Sequence, residues 1–295
     1  MSSTPKGLET QRAPITGAYP SSMGAHTSWE LRPEQRADFE ERGYLSPIQL
    51  LNREEVETLR NRLSSIKERL DELEPLLYEV EESWLERPEE VVLHFLGAWR
   101  VDELFHDLIY HPGVTVPLAQ LLGVERLRFW HDQVFWKPAG HPGVVPWHQD
   151  WSYWQRTTPE SHITMFISLD DSDEESGCLQ VIPGSHRWGS LPPVDFGGDL
   201  EQVKEHLTDS QLVAFQPNSL PLRAGEASIH HSSTLHGSLA NRSERPRRAI
   251  VLNFMAPDTR CADESAPLLS GVPLLKVGAL IEGEHFPIVL NREST

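Results

Sequence analysis

Residues 131–150 read HDQVFWKPAGHPGVVPWHQD, and this stretch is the best guide to the fold. It joins a run of aromatic and β-branched residues to a loop rich in proline and glycine, which is typical of antiparallel strands connected by turns. The stretch ends on His148 and Asp150. Because residues i and i+2 of an extended strand point to the same face, the pattern places an imidazole beside a carboxylate.

The N-terminal side of this stretch has the spacing of helices. Gly43 is a natural stop for a helix over 32–43, and Asn52 is a natural N-cap for a helix over 53–74. Shorter helices are expected over 101–111 and 113–123. Apolar residues in the second helix recur at three- and four-residue spacing, at Val56, Leu59, Leu63, Ile66 and Leu70.

Strand-like runs dominate the C-terminal side: 126–137, 162–170, 178–182, 226–231 and 249–256. Helices followed by strands predict an α+β or mainly β fold. A chain of 295 residues is long enough for one large domain. We expect a flexible N-terminal arm over 1–30 and a single domain over 31–295. Within it, we expect a helical part over 31–124, a β-rich core over 125–260 and a C-terminal extension over 261–295.

Composition and charge limit the expected binding partners and the expected cellular compartment of the protein. The 26 basic and 44 acidic side chains give a formal charge of −18, which disfavours nucleic acid and anionic membranes as partners. No apolar run approaches the ~18 residues that a transmembrane helix needs. The N-terminus shows no export signal, and two cysteines suit a reducing compartment. We therefore expect a cytoplasmic protein.

A metal site is the chemistry that the HxD pattern suggests. His236 offers a third ligand, and two histidines with one carboxylate on one face of a metal are the arrangement of non-haem iron(II) oxygenases. An HxD pair alone arises readily by chance in a chain with 14 histidines. Whether this pair binds a metal therefore has to be judged from the sequence around it.

Three blocks of that sequence resemble the phytanoyl-CoA dioxygenase family: 131–150, 175–189 and 230–254. The resemblance implies a double-stranded β-helix, or jelly roll, with flanking N-terminal helices. It also implies iron(II) held by His148, Asp150 and His236, with 2-oxoglutarate and dioxygen as co-substrates. The family's arginine for the distal carboxylate of 2-oxoglutarate falls on Arg247.

The alternation of residues favours Arg247 over Arg248 for this task. Arg248 shares its face with bulky apolar residues, whereas the face of Arg247 continues as Ala249, Val251 and Asn253, which are smaller or more polar, as a lumen requires. By position in the family, Gln133, Phe166 and Ser238 are further contacts to 2-oxoglutarate. The same alternation places on one face of the strand Phe129, His131, Gln133, Phe135 and Lys137.

Candidates for the substrate pocket are Lys137, Trp151, Tyr153 and Trp154. Lys137 would hold an anionic group or form an ordinary ion pair, and the aromatic residues would line the pocket or simply belong to the core. The other histidines of the β-rich region are read as structural: His141, His162, His186, His230 and His231. Only one of the last two can face the lumen.

The resemblance implies hydroxylation of a small molecule, with release of succinate and carbon dioxide. A protein or peptide hydroxylase on the same fold is the alternative. A hydrolytic or non-catalytic metal protein is a weaker one, because all four family positions are intact. The identity of the substrate and the oligomeric state are left open.

Overall fold

Two antiparallel sheets form the β-rich part of the computed structural model, which describes residues 7–20, 27–195 and 199–292. The large sheet has the strand order β1-β10-β7-β12-β4-β3-β2, with β14 also paired to β4, and the small sheet has the order β5-β11-β8-β9. A third, two-stranded sheet joins β6 and β13. The strands are β1 Tyr44–Gln49, β2 Glu79–Val80, β3 Leu93–Leu96, β4 Arg126–Lys137, β5 Val145–His148, β6 Thr157–Thr158, β7 His162–Ser168, β8 Leu179–Val181, β9 Asn218–Leu220, β10 Glu226–His231, β11 His236–Ser238, β12 Arg247–Met255, β13 Arg260–Cys261 and β14 Ile288–Asn291.

Helices surround one face of the large sheet. Among the described residues, no helix is long and apolar enough to cross a membrane. The α-helices are α1 Pro33–Arg42, α2 Arg53–Glu68, α3 Leu70–Leu73, α4 Glu82–Glu86, α5 Ala98–Val101, α6 Glu103–Leu108, α7 Pro112–Leu122, α8 Trp151–Trp154 and α9 Asp209–Ala214. Short 3-10 turns occur at Leu8–Thr10, Thr27–Trp29, Glu74–Leu76, Ser185–Arg187 and Gln202–His206.

The large sheet separates two apolar layers, as the alternation along β12 requires. Ile250 and Leu252 pack into the main core, where the sheet meets the helices. Ala249 and Val251 face the other way, into a smaller core with residues of β5 and β8 from the small sheet. This face-to-face packing of two antiparallel sheets confirms the predicted jelly roll with flanking helices.

A β-bulge in β4 changes the face of the sheet to which Phe129 points. Asn253 pairs with His131 but Phe254 pairs with Phe129, so Trp130 is the extra residue opposite β12. Phe129 therefore lies in the main core, with its ring 5.4 Å from that of Phe254. The prediction that Phe129 shares a face with His131 is wrong, because alternation cannot anticipate a bulge.

The helix boundaries follow the predicted caps. Gly43 ends α1 at a φ of 80°, and the Asn52 side chain accepts hydrogen bonds from the backbone N–H groups of Glu54 and Glu55. The helix predicted over 53–74 breaks at Arg69. The segment predicted to be helical, 31–124, also supplies β1, β2 and β3, and the C-terminal extension returns as β14. β2, β3 and β14 have only two to four residues, too few for a clear alternation. β1 is an edge strand that contains Pro47, a residue that argues against a strand in the sequence.

Residues 7–20 of the predicted flexible arm are held against the helices, which differs from a loosely attached segment. Arg100 forms a buried ion pair with Glu9, at 3.1 Å. Asp107 accepts hydrogen bonds from the backbone N–H groups of Ile15 and Thr16, at 2.6 and 2.7 Å, and from the Thr16 hydroxyl. Composition could not show this, because the partners are mostly backbone groups. Residues 1–6 and 21–26 of the arm lie outside the described residues.

We expect Asp107→Asn to loosen the arm and to lower the free energy of unfolding by about 1–3 kcal/mol, since the amide loses one acceptor. Burial alone would raise the pKa of Asp107, but the bonds from Thr16 and Ile15 hold it below its usual value. Its stabilising contribution is therefore present above the unfolded-state pKa of about 4 and is lost as the pH falls through the folded-state pKa.

Urea unfolding and limited proteolysis of the arm at neutral pH measure this effect. Asp38→Asn is the matched control, because Asp38 is exposed on α1. If Asp107→Asn and Asp38→Asn behave alike, the arm is not held by Asp107.

Candidate metal centre

Adjacent strands of the small sheet bring the two predicted metal histidines together. His236 of β11 pairs directly with His148 of β5. Gly237 permits this close approach, since a Cβ at that position would lie 2.9 Å from the Val145 carbonyl oxygen. The strand ends at His148, and Asp150 lies just before α8 with helical backbone angles. Asp150 therefore lies outside the strand that the i, i+2 spacing predicts. Its carboxylate still reaches the two histidines.

The three side chains form a compact, buried group. Asp150 Oδ1 lies 3.7 Å from His148 Nε2 and 3.6 Å from His236 Nε2. One ligand atom from each residue can be chosen so that all three lie within 4.8 Å of one another. Each residue is only 5–6% exposed. This is a donor set that suits iron(II) and leaves further coordination positions for other ligands.

Backbone carbonyls orient both imidazoles. Nδ1 of His148 donates to the Pro146 oxygen at 2.8 Å, and Nδ1 of His236 donates to the Thr234 oxygen at 2.9 Å. Each Nε2 therefore carries the lone pair that a metal requires. Burial lowers the pKa of His236 well below its usual value, which keeps this ring neutral.

Asp150 is fixed through its second carboxylate oxygen. Oδ2 accepts a hydrogen bond from the Thr164 hydroxyl at 2.6 Å and lies 3.2 Å from His230 Nε2. Burial alone would raise the pKa of Asp150, but the hydrogen bonds and charges around it hold it well below its usual range. A carboxylate is therefore available, with Oδ1 turned towards the two other ligands.

His230, which the sequence predicts to be structural, is part of this arrangement. It faces the lumen because β10 pairs with β7 in a register that sets His230 opposite Thr164. The sequence limited the doublet to one lumen-facing member but did not say which one. Only the register between two distant strands decides it.

We expect Thr164→Val to weaken iron(II) binding about 10- to 100-fold, because groups that hold a metal ligand usually contribute that much. The substitution preserves shape and removes the hydroxyl that fixes Asp150. Equilibrium binding of iron(II) under anaerobic conditions measures the change, with the exposed Thr58→Val as the control. An unchanged dissociation constant would show that the hydroxyl does not hold the ligand.

A small cavity joins the metal group to the predicted co-substrate residues. It is lined by the side chains of His148, Asp150 and His236 together with Gln133, Phe166, Ser238 and Arg247. The Gln133 amide oxygen lies 2.9 Å from His94 Nε2, which leaves its NH2 group for other partners.

Arg247 is the most informative residue of this cavity. It is 1% exposed, and its guanidinium carbon lies 5.1 Å from the centre of the Phe166 ring. In the described part of the chain it has no hydrogen-bonded or ion-paired partner, and its Nε is buried without one. Arg248, in contrast, pairs with Asp170 at 2.7 Å on the opposite face. A buried arginine without an anion fits a carboxylate ligand, such as the distal carboxylate of 2-oxoglutarate.

A larger cavity of about 290 Å³ adjoins the first, and the two share Gln133 and Asp150 in their walls. Of the predicted substrate-pocket residues, Tyr153 and Trp154 line it. Trp151 and Lys137 do not: Trp151 packs against the main core, and Lys137 is buried behind Ser238. Alternation cannot show which side chains another residue covers, and contact of these two residues with a substrate stays a prediction.

Several residues of the larger cavity were not predicted. Glu79 and Glu81 come from the segment around β2, and Leu268 and Leu269 come from the C-terminal extension. Trp130 enters the wall from the bulge of β4. These segments are far apart in the chain and carry no motif, so only the folded structure brings them to one place.

Comparison with known proteins agrees with this geometry. Residues 39–249 match the family model Phytanoyl-CoA dioxygenase (PhyH). A probable alpha-ketoglutarate-dependent hypophosphite dioxygenase of Stutzerimonas stutzeri is 30% identical over 155 residues, which are 52% of this chain and 53% of that protein. A phytanoyl-CoA dioxygenase of Arabidopsis thaliana is 26% identical over 261 residues, which cover 77% of this chain and 90% of that protein.

Solved structures support the fold. The non-heme alpha ketoglutarate dependent carbocyclase SnoK from nogalamycin biosynthesis has a TM-score of 0.69 and 24% identity, covering 88% of this chain and 96% of its own. The family match extends over most of the chain and includes the two histidines, the carboxylate and the unpaired arginine. The chain therefore belongs to the phytanoyl-CoA dioxygenase family of iron- and 2-oxoglutarate-dependent oxygenases.

Proposed function

We propose that this protein uses iron(II), 2-oxoglutarate and dioxygen to hydroxylate a small molecule in the larger cavity. The observation that carries the proposal is the buried Arg247 without an anion, in the same cavity as His148, Asp150 and His236. A hydrolytic metal site would have no use for such an arginine. A non-catalytic relative would have no reason to keep all four residues.

Each residue has a role that follows from its position. His148, Asp150 and His236 would hold iron(II), and Arg247, Ser238, Gln133 and Phe166 would bind and orient 2-oxoglutarate. The iron supplies the chemistry that couples oxidative decarboxylation of 2-oxoglutarate, to succinate and carbon dioxide, with insertion of oxygen into a C–H bond. The buried aromatic walls exclude water from the reacting groups.

The shape of the larger cavity favours a small molecule over a peptide. Its volume, about 290 Å³, is near the lower end of the usual range for small-molecule sites. The segment around β2 and the C-terminal extension both contribute to its walls. The names of the two relatives, one for hypophosphite and one for phytanoyl-CoA, differ too much to transfer a substrate.

The proposal includes a cytoplasmic location and no nucleic-acid or membrane partner. Both cysteines, Cys178 and Cys261, are buried and free, which suits a reducing compartment. The charge of −18 disfavours contact with phosphate backbones and anionic lipids.

Succinate release tests the function. The purified protein with iron(II), 2-oxoglutarate and dioxygen should release succinate, and the rate should rise when a panel of small metabolites includes a substrate. Peptide substrates would be screened in parallel to test the alternative class. Zinc in place of iron should give no succinate. If no metabolite of the panel gives succinate with iron(II) but one of them is hydrolysed in the presence of zinc, the oxygenase proposal fails.

A further inference from the structure

Lys137 is a fully buried lysine whose task neither an ion pair nor the substrate cavity explains. It is 0% exposed at the end of β4. Its ammonium group lies 2.8 Å from Ser238 Oγ, 2.5 Å from the Leu239 carbonyl oxygen and 3.4 Å from the Ser238 carbonyl oxygen. No carboxylate pairs with it within the described ranges. Burying a charge without a counterion destabilises the folded protein, so we expect Lys137 to have an anionic partner.

Arg247 lies directly across from Lys137. The two residues are paired in the register of β12 and β4, and both side chains are buried. Burial and the neighbouring Arg247 both lower the pKa of Lys137 well below its usual value. A carboxylate bound beside them would favour the charged form of both side chains and would offset the cost of burying the two charges.

The hydrogen bonds of Lys137 set the direction of the Ser238 hydroxyl. A bound carboxylate favours the charged form of Lys137, and an ammonium group only donates, so Ser238 Oγ accepts from Lys137 when the carboxylate is in place. The Ser238 proton is then free for another acceptor, and Oγ has no second hydrogen-bond partner among the residues described. Ser238 lines the small cavity beside Arg247. Its O–H is therefore available to a ligand oxygen in that cavity.

We propose that Lys137 is a positioning residue for the distal carboxylate of 2-oxoglutarate. It turns the Ser238 hydroxyl into a donor towards that carboxylate and adds a second positive charge behind Arg247. The inference rests on the proposed function, since it takes 2-oxoglutarate as the ligand of the small cavity. This role differs from the two that the sequence leaves open for Lys137, binding an anionic substrate group or forming an ordinary ion pair.

Binding of two keto-acids to the iron(II)-loaded protein, measured by anaerobic calorimetry, tests the inference. The acids are 2-oxoglutarate and 2-oxovalerate, which has the same chain but a methyl group in place of the distal carboxylate. We expect Lys137→Met to weaken binding of 2-oxoglutarate about tenfold or more and to leave binding of 2-oxovalerate unchanged. Lys67→Met, at an exposed lysine on α2, should change neither.

A purely structural role would give a different result, since both acids would then lose affinity together or neither would. Ser238→Ala provides a second arm that does not depend on the folding of the lysine variant. It should also weaken 2-oxoglutarate selectively, and the double variant should lose less than the two single losses combined, because both act through one hydroxyl. If Ser238→Ala does not discriminate between the acids, the inference is overturned. If the unaltered protein binds neither acid, the proposed function itself fails.

Discussion

His236→Ala is expected to abolish iron(II) binding at micromolar metal and, with it, succinate formation. The variant leaves only His148 and Asp150 as ligands, and two ligands do not hold a metal of this kind firmly. Anaerobic equilibrium dialysis with iron(II), followed by a succinate assay, measures both effects.

His206→Ala is the matched control for this experiment, since His206 is exposed in a short 3-10 turn and lines neither cavity. Far-ultraviolet circular dichroism of both variants separates loss of metal from loss of fold. Full iron binding by a folded His236→Ala protein would contradict the assignment of the three ligands.

Arg247→Met is expected to raise the concentration of 2-oxoglutarate needed for half-saturation about 100-fold or more. The change removes a buried guanidinium that can form two charge-assisted hydrogen bonds to one carboxylate. Burial lowers the pKa of Arg247 to about 10, so the side chain is charged at neutral pH and available to an anion. Iron(II) affinity should stay close to that of the unaltered protein, because Arg247 does not contact the ligands.

Arg248→Met, one residue along the same strand, is the control. Its side chain points to the opposite face and pairs with Asp170, so its loss should lower thermal stability and leave the 2-oxoglutarate requirement unchanged. If the effects of the two variants are reversed, the alternation along β12 has been misassigned.

Much of this site could be predicted from the sequence because side chains alternate between the two faces of a regular strand. Arg247, Val251 and Gln133 lie on regular parts of β12 and β4, where period two decides the face, and all three line the small cavity. The predicted helix caps at Gly43 and Asn52 likewise depend on local chemistry alone. Where a structural feature depends only on residues close together in the chain, the sequence alone predicts it.

The sequence did not predict the arrangement where distant segments of the chain meet. His230 supports Asp150 because of the register between β10 and β7, and Phe129 turns to the main core because of a bulge. Lys137 shares the lumen-facing alternation, but Ser238 covers it, so it reaches neither cavity wall. The wall of the larger cavity also includes Leu268 from the C-terminal extension. Such contacts depend on tertiary packing, which local patterns do not encode.

The assignment of the iron and 2-oxoglutarate site is tested by an anaerobic titration of the metal-free protein with iron(II) and 2-oxoglutarate, followed by visible absorption. We expect a weak charge-transfer band that appears only when both are present, because 2-oxoglutarate would chelate an iron held by His148, Asp150 and His236. The band should be absent in His236→Ala and should require far more 2-oxoglutarate in Arg247→Met. No band at saturating iron and 2-oxoglutarate in the unaltered protein would contradict the oxygenase assignment.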